Sequence, residues 1–92
     1  MEAELTQEQI DFLKSHDFMR LGQGINQKNW QSVAMCERRM EANAKKCEMD
    51  VFVKWLVGIR QCSFSGNQAE ALQLMTLVTT KRVQFLRLLE QK

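Results

Sequence analysis

The sequence predicts an all-α protein in which four helices pack as two stacked antiparallel hairpins. Its 92 residues contain no proline and only four glycines, so few positions would interrupt a helix. Apolar residues recur every three or four positions along four segments, which is the periodicity of amphipathic helices. We therefore expect one helical domain over residues 1–92, with helices at about 7–25, 30–46, 50–63 and 67–90.

The first predicted helix begins after Thr6, because Gln9 follows three residues later at the spacing of a capping box. Phe12 and Met19 are expected on the side opposite the main apolar stripe. A terminal helix with two apolar sides is either covered by its neighbours or meets a partner. The main stripe consists of Ile10, Leu13, Leu21 and Ile25.

The second predicted helix begins at Trp30, with Asn29 as its N-cap. Apolar residues spaced by threes and fours form its core stripe, and the opposite face is basic. Four cations on one helix face suit contacts with nucleic-acid phosphates, although such faces are also common on solvated helices. The basic face consists of Arg38, Arg39, Lys45 and Lys46.

The third predicted helix, within Asp50–Cys62, is apolar around most of its girth, so we expect it to be the central element of the core. Trp55 is predicted to anchor that core. The join to the second helix has no glycine or proline, and one continuous helix over 30–63 is an alternative to a short break near Glu48–Asp50. We favour the break, because such a helix would far exceed the usual length of about 12 residues.

The fourth predicted helix follows a turn at residues 63–67, with Asn67 as its cap and Glu70 three residues later. It carries a core stripe and a second apolar stripe that includes Leu72. In a stack of two hairpins the first and last helices each lack one neighbour, so their second stripes predict an interface. The predicted partner-binding residues are Leu72, Val83, Leu86, Phe12 and Met19.

The chain also shows a weak internal repeat. A shift of 38 residues places the turn at Lys28–Val33 on the turn at Gly66–Ala71. Apolar residues then coincide with apolar residues on both sides of a shared asparagine. The repeat favours two helical hairpins in tandem.

Both turns resemble part of a tetratricopeptide repeat. GNQAEAL at 66–72 and KNWQSVA at 28–34 are similar to the turn and second-helix start of that family. On this resemblance Ala71 would be the small packing residue, and Trp30 and Trp55 would take aromatic positions. No proline closes either repeat, and the spacing exceeds the family's usual 34 residues. The resemblance implies helical hairpins and the binding of peptides or proteins.

Few residues suggest catalysis or metal binding. His16 is the only histidine, and Asp17 beside it does not share its helix face. Cys36, Cys47 and Cys62 lack the close pairs of zinc sites, so reduced core thiols are expected. Neither a phosphate-binding glycine loop nor a dinucleotide fingerprint is present. We therefore predict no enzyme activity, no cofactor and no metal site.

Charge and hydropathy favour a cytoplasmic protein without a strong electrostatic partner. The net charge is +2, divided between −4 over residues 1–17 and +6 over the remainder. No signal peptide and no run of about 20 apolar residues is present, so no membrane association is expected. The predicted function is a small non-catalytic protein–protein interaction module that binds another protein or itself, as a homodimer. The alternative is a nucleic-acid-associated regulator that uses the basic face of the second helix.

Overall fold

The computed structural model describes residues 4–90, which form α-helices and one short 3-10 turn, with no strand in that range. The all-α class and the small helical bundle are thereby confirmed. Each of the four predicted segments is helical, although the first is divided in two. The helices are α1 (Gln7–Leu13), α2 (Asp17–Asn26), α3 (Trp30–Lys46), α4 (Val53–Ser65) and α5 (Gln68–Glu90).

The prediction of one helix over residues 7–25 is wrong, because the chain breaks between α1 and α2. Ser15 Oγ accepts a hydrogen bond from the backbone N–H of Asp17 at 3.1 Å, which satisfies a donor at the start of α2. At the end of α1, the carbonyl oxygen of Leu13 accepts a hydrogen bond from Arg82 Nε of α5 at 2.6 Å. The break is therefore held by one local contact and one contact with the far end of the chain.

Three predicted caps are confirmed. Thr6 and Gln9 form a reciprocal capping box at the start of α1. The Asn29 side chain accepts a hydrogen bond from the N–H of Ser32 at 3.3 Å. Asn67 does the same for the N–H of Glu70, at 3.1 Å. These side chains satisfy backbone donors that have no partner within their own helix.

A left-handed residue follows each of α2, α3 and α4, and two of these three residues are not glycine. Lys28 after α2 has φ 55°, Glu48 after α3 has φ 61° and Gly66 after α4 has φ 72°. Each is followed by a residue whose backbone N–H donates to a carbonyl oxygen five residues earlier in the helix; Asn29, for example, donates to Gly24 at 2.9 Å. The break predicted near Glu48–Asp50 is thus confirmed, and a 3-10 turn over Asp50–Phe52 leads into α4.

The helices α2 to α5 form a closed ring around one core. α4 packs between α3 and α5, as the central position of this segment predicts, and α2 packs against both α3 and α5. The short α1 lies against α3 and α5. The expectation that the first and last helices each lack a neighbour is therefore wrong, because α2 and α5 cover one another in part.

Phe52 lies at the centre of the core. It is fully buried, and its ring meets those of Phe12, Phe18 and Phe85 at centroid distances of 5.5, 5.9 and 6.0 Å. Trp55 is half-buried, and its ring lies 6.4 Å from that of Phe52. Phe52 rather than Trp55 is therefore the anchor, which corrects the sequence prediction.

Candidate interaction surface

The five predicted partner-binding residues fall in three different environments. Met19 and Leu72 are exposed and line the boundary between α2 and α5. Val83 and Leu86 are half-buried farther along α5, and Leu86 packs against the core. Phe12 is a core residue with 6% exposure, so its predicted place on an outer surface is wrong. The break after α1 reorients that helix, and its apolar sides cannot be read as those of one straight helix.

Between α2 and α5 runs a shallow groove, which we call the α2/α5 groove. It consists of two adjoining hollows of about 410 and 270 Å³, and both are lined by Met75 and Thr79. Its apolar part is formed by Met19 from α2 and by Leu72 and Met75 from α5. The sequence places Met75 in the core stripe, whereas its side chain is only half-buried and forms part of the groove floor.

Gly22 opens the floor of the groove on the α2 side. A Cβ added at this position would meet only Met75 Cε, at 3.9 Å, which is an ordinary contact. The neighbouring Gly24 faces inward instead, where an added Cβ would lie 2.9 Å from Val33 Cγ2. From the sequence, both glycines read only as weak positions in a helix. In the structure, Gly22 is a groove residue and Gly24 is a packing residue.

Basic residues gather at one end of the groove. The cations Lys14 and Arg82, together with His16, line the hollow that contains Met19. Arg82 is fixed there, because its guanidinium carbon lies 4.9 Å from the ring centroid of Phe18 and its Nε bonds to Leu13. His16 is exposed at the start of α2, beside this end of the groove.

The basic face of α3 is exposed but partly neutralised. Arg39 donates two hydrogen bonds to the nearly buried Asp17 carboxylate, at 3.0 and 2.8 Å. This hydrogen bonding lowers the pKa of Asp17. Lys45 donates to Glu41 at 2.8 Å. Nucleic-acid binding stays a prediction, with two of its four proposed cations held by carboxylates. The exposed cations of the face are Arg38, Arg39, Lys45 and Lys46.

Sequence reasoning did not identify Glu37, which is completely buried on α3. A signal was available, because Glu37 lies four residues after Val33 and three before Met40, within the apolar stripe. Burial, reinforced by the neighbouring Glu41 carboxylate, raises the pKa of Glu37 from 4.5 to about 7. The group is therefore largely protonated below neutral pH.

Arg60 of α4 binds this pair of carboxyl groups. Its Nη1 lies 2.9 Å from Glu41 Oε1 and 3.9 Å from Glu37 Oε2. Lys45 and the Glu37 carboxyl lower the pKa of Glu41, so Glu41 carries the charge of the pair. Among the described residues neither oxygen of Glu37 has a hydrogen-bond donor, and a neutral Glu37 can itself donate to Glu41. Below neutral pH, Glu37 is thus the neutral member of the pair and Glu41 the charged one.

The three cysteines are free and buried. Burial raises the pKa of each thiol, so all three remain protonated and weakly nucleophilic at neutral pH. Within residues 4–90 no group of three or more His, Cys, Asp or Glu side chains is placed to hold a metal ion.

Comparison with protein-family models, with curated proteins and with solved structures returned no match. None of the helices in the described part of the chain is long and apolar enough to span a bilayer.

Proposed function

We propose that this protein is a small non-catalytic protein–protein interaction module and that the α2/α5 groove is its binding surface. The observation that carries this proposal is the apolar floor of the groove, formed by Met19, Leu72 and Met75 at the surface of a packed bundle. Methionines suit such a surface, because their flexible, polarizable side chains adapt to a partner's shape.

The geometry of the groove supports binding of another helix. Both walls are helices, so an incoming chain finds no free sheet edge to extend. Thr76, Thr79 and Thr80 border the apolar floor on the α5 side and offer hydroxyl groups at its rim. An apolar floor with a polar rim is the general arrangement of protein interfaces.

The proposed site of action is the cytoplasm. Cys36, Cys47 and Cys62 are free thiols within the core, which suits a compartment that keeps cysteines reduced.

Two double variants test the groove. Met19→Glu with Leu72→Glu places charges in the groove, whereas Met35→Glu with Leu77→Glu places them on apolar residues elsewhere. The pairs are matched, since Met19 and Met35 are 58% and 62% exposed, and Leu72 and Leu77 are 38% and 46% exposed. Both variants should keep the helical circular dichroism spectrum of the wild type.

Partners would be recovered by affinity purification from the source cells and then expressed, purified and titrated by calorimetry. We expect the groove variant to weaken binding at least about tenfold, since a carboxylate in place of Leu72 would be buried against the partner in a hollow whose described lining holds no cation, which costs several kcal/mol. The control variant should bind as the wild type does. If both variants lost affinity for the partner equally, or if neither lost any, the groove would not be the binding surface.

A further inference from the structure

The charges around the groove indicate what kind of partner fits it, and this step rests on the proposed function. We infer that the groove binds an amphipathic helix of another protein, about three turns long, with carboxylates near one end. The groove follows α5 from Leu72 to Arg82, a separation of ten residues that corresponds to about 15 Å along a helix. A partner helix lying along it would present apolar residues at the spacing i, i+3, i+4 and i+7.

Among the described residues the two ends of the groove differ in charge. Lys14 and Arg82 line one end beside His16, and Asn26 and Leu72 line the other. None of the residues within 4–90 that line either hollow is acidic. A carboxylate on the partner would therefore meet cations at one end and no repulsion elsewhere, which fixes the direction of the bound helix as well as its affinity.

The guanidinium group of Arg82 is preorganised for such a contact. The bond from Arg82 Nε to Leu13 and the stacking on Phe18 hold its guanidinium in place, so little further order is lost when a carboxylate binds. Lys14, in the break between α1 and α2, is exposed beside it. A partner carboxylate can therefore approach two cations at once.

A second copy of this chain is a poorer occupant. In a two-fold dimer the same face meets itself, so each groove would lie against another groove. From the part of the chain that the structure describes, each face brings Lys14 and Arg82 and no lining carboxylate, so these cations would find no opposite charge across the interface. The charge pattern is complementary to an acidic helix and not to itself.

The probe is a displayed library of helical peptides of about 14 residues, with apolar residues fixed at i, i+3, i+4 and i+7. Glu, Gln and Lys are equally represented at the remaining positions. We expect selection on the wild-type protein to enrich Glu over Lys at one end of the peptide. The binding of a selected synthetic peptide, measured by fluorescence anisotropy, should weaken about fivefold in Lys14→Glu.

A charge exchange provides the control. Replacing the selected Glu by Lys in the peptide should weaken binding to the wild type and restore binding to Lys14→Glu. Lys28→Glu, an exposed substitution outside the groove, should leave affinity unchanged. Thermal unfolding of each variant verifies that the fold is intact.

The remaining outcomes separate this inference from the proposed function. Selected peptides that lose binding to Met19→Glu with Leu72→Glu, but show no preference for Glu, would overturn the acidic partner and leave the groove as the binding surface. A wild-type dimer in light scattering that Leu72→Glu dissociates would identify a second copy as the occupant and overturn the inference. Absence of both peptide enrichment and a dimer would overturn both proposals.

Discussion

Two glycines of α2 differ in what lies beside them, although they are only two residues apart. Gly22→Ala should raise the free energy of unfolding by about 0.5–1 kcal/mol, because alanine is the better helix former and its methyl group has room beside Met75. Gly24→Ala should lower it by about 1–3 kcal/mol, because the methyl group would press on the buried, β-branched Val33.

Urea titration followed by circular dichroism measures both changes. Shifts of the midpoint in the same direction would contradict the assignment of one glycine to the groove and the other to the core.

Glu37 should make stability depend on pH in an unusual direction. Its pKa is raised in the folded protein from 4.5 to about 7, so the folded state holds the proton more tightly than the unfolded chain. The resulting stabilisation is fully present below pH 4.5 and is lost as the pH rises through 7. At about 1.4 kcal/mol per pKa unit, the free energy of unfolding should fall by about 3 kcal/mol over this range.

Asp17 and Glu41 act in the opposite direction. Their pKa values are lowered from 3.8 and 4.5, so their stabilising effect is lost only as the pH falls below those values. Urea unfolding between about pH 5 and about pH 7 therefore isolates Glu37. Glu37→Gln, which is neutral and of similar size, should remove most of the slope. A slope that persists in this variant would assign the pH dependence to another group.

Among the elements, the turn that leads into α4 supplies the central ring of the core, Phe52. Phe52→Ala should cost about 3–5 kcal/mol, because the side chain is fully buried among three other phenylalanine rings. Trp55→Ala should cost clearly less, because half-burial removes less apolar area from water.

Chemical denaturation of the two variants measures the difference, and an unfolded Phe52→Ala beside a folded Trp55→Ala would agree with it. If Trp55→Ala proves as destabilising as Phe52→Ala or more so, the centre of the core lies nearer α4 than the ring contacts indicate.

For the whole molecule, the sequence predicts those features that depend on local patterns. The helices and the caps at Thr6, Asn29 and Asn67 follow from periodicity and short-range hydrogen bonds, and the break near Glu48 follows from the usual length of helices. The break after α1 does not, because Arg82, 69 residues away in the chain, helps to hold it. A helical wheel shows only the residues of one segment, so it cannot reveal a contact of that range.

The candidate site likewise contains residues that local sequence patterns predict and residues that they do not. Met19 and Leu72 are predictable as apolar residues outside the main stripes, and both line the groove. Phe12 is not, because its orientation depends on the break. The environment of Glu37 depends on Arg60 from another helix. The contact between α2 and α5, which closes the ring of helices, depends on how all four of these helices pack. Tertiary contacts therefore account for what pattern analysis misses.

The left-handed turns at Lys28 and Glu48 are positions where a substitution can make the fold more stable. Residues with a Cβ are strained in that conformation by about 1–2 kcal/mol, and glycine is not. Lys28→Gly and Glu48→Gly should each raise the free energy of unfolding by about 0.5–1 kcal/mol, after allowing for the greater freedom of glycine in the unfolded chain. Lys28→Ala, which keeps the strain, should bring no gain.

Thermal melts of the single and double variants would test this expectation. The two turns lie at opposite ends of α3, whose 17 residues span about 25 Å, so their effects should add. Failure of both glycine variants to raise the melting temperature would mean that the turns are relaxed. A chain stabilised in this way would tolerate destabilising substitutions elsewhere, so the groove could be redesigned or diverge toward a new partner without loss of the fold.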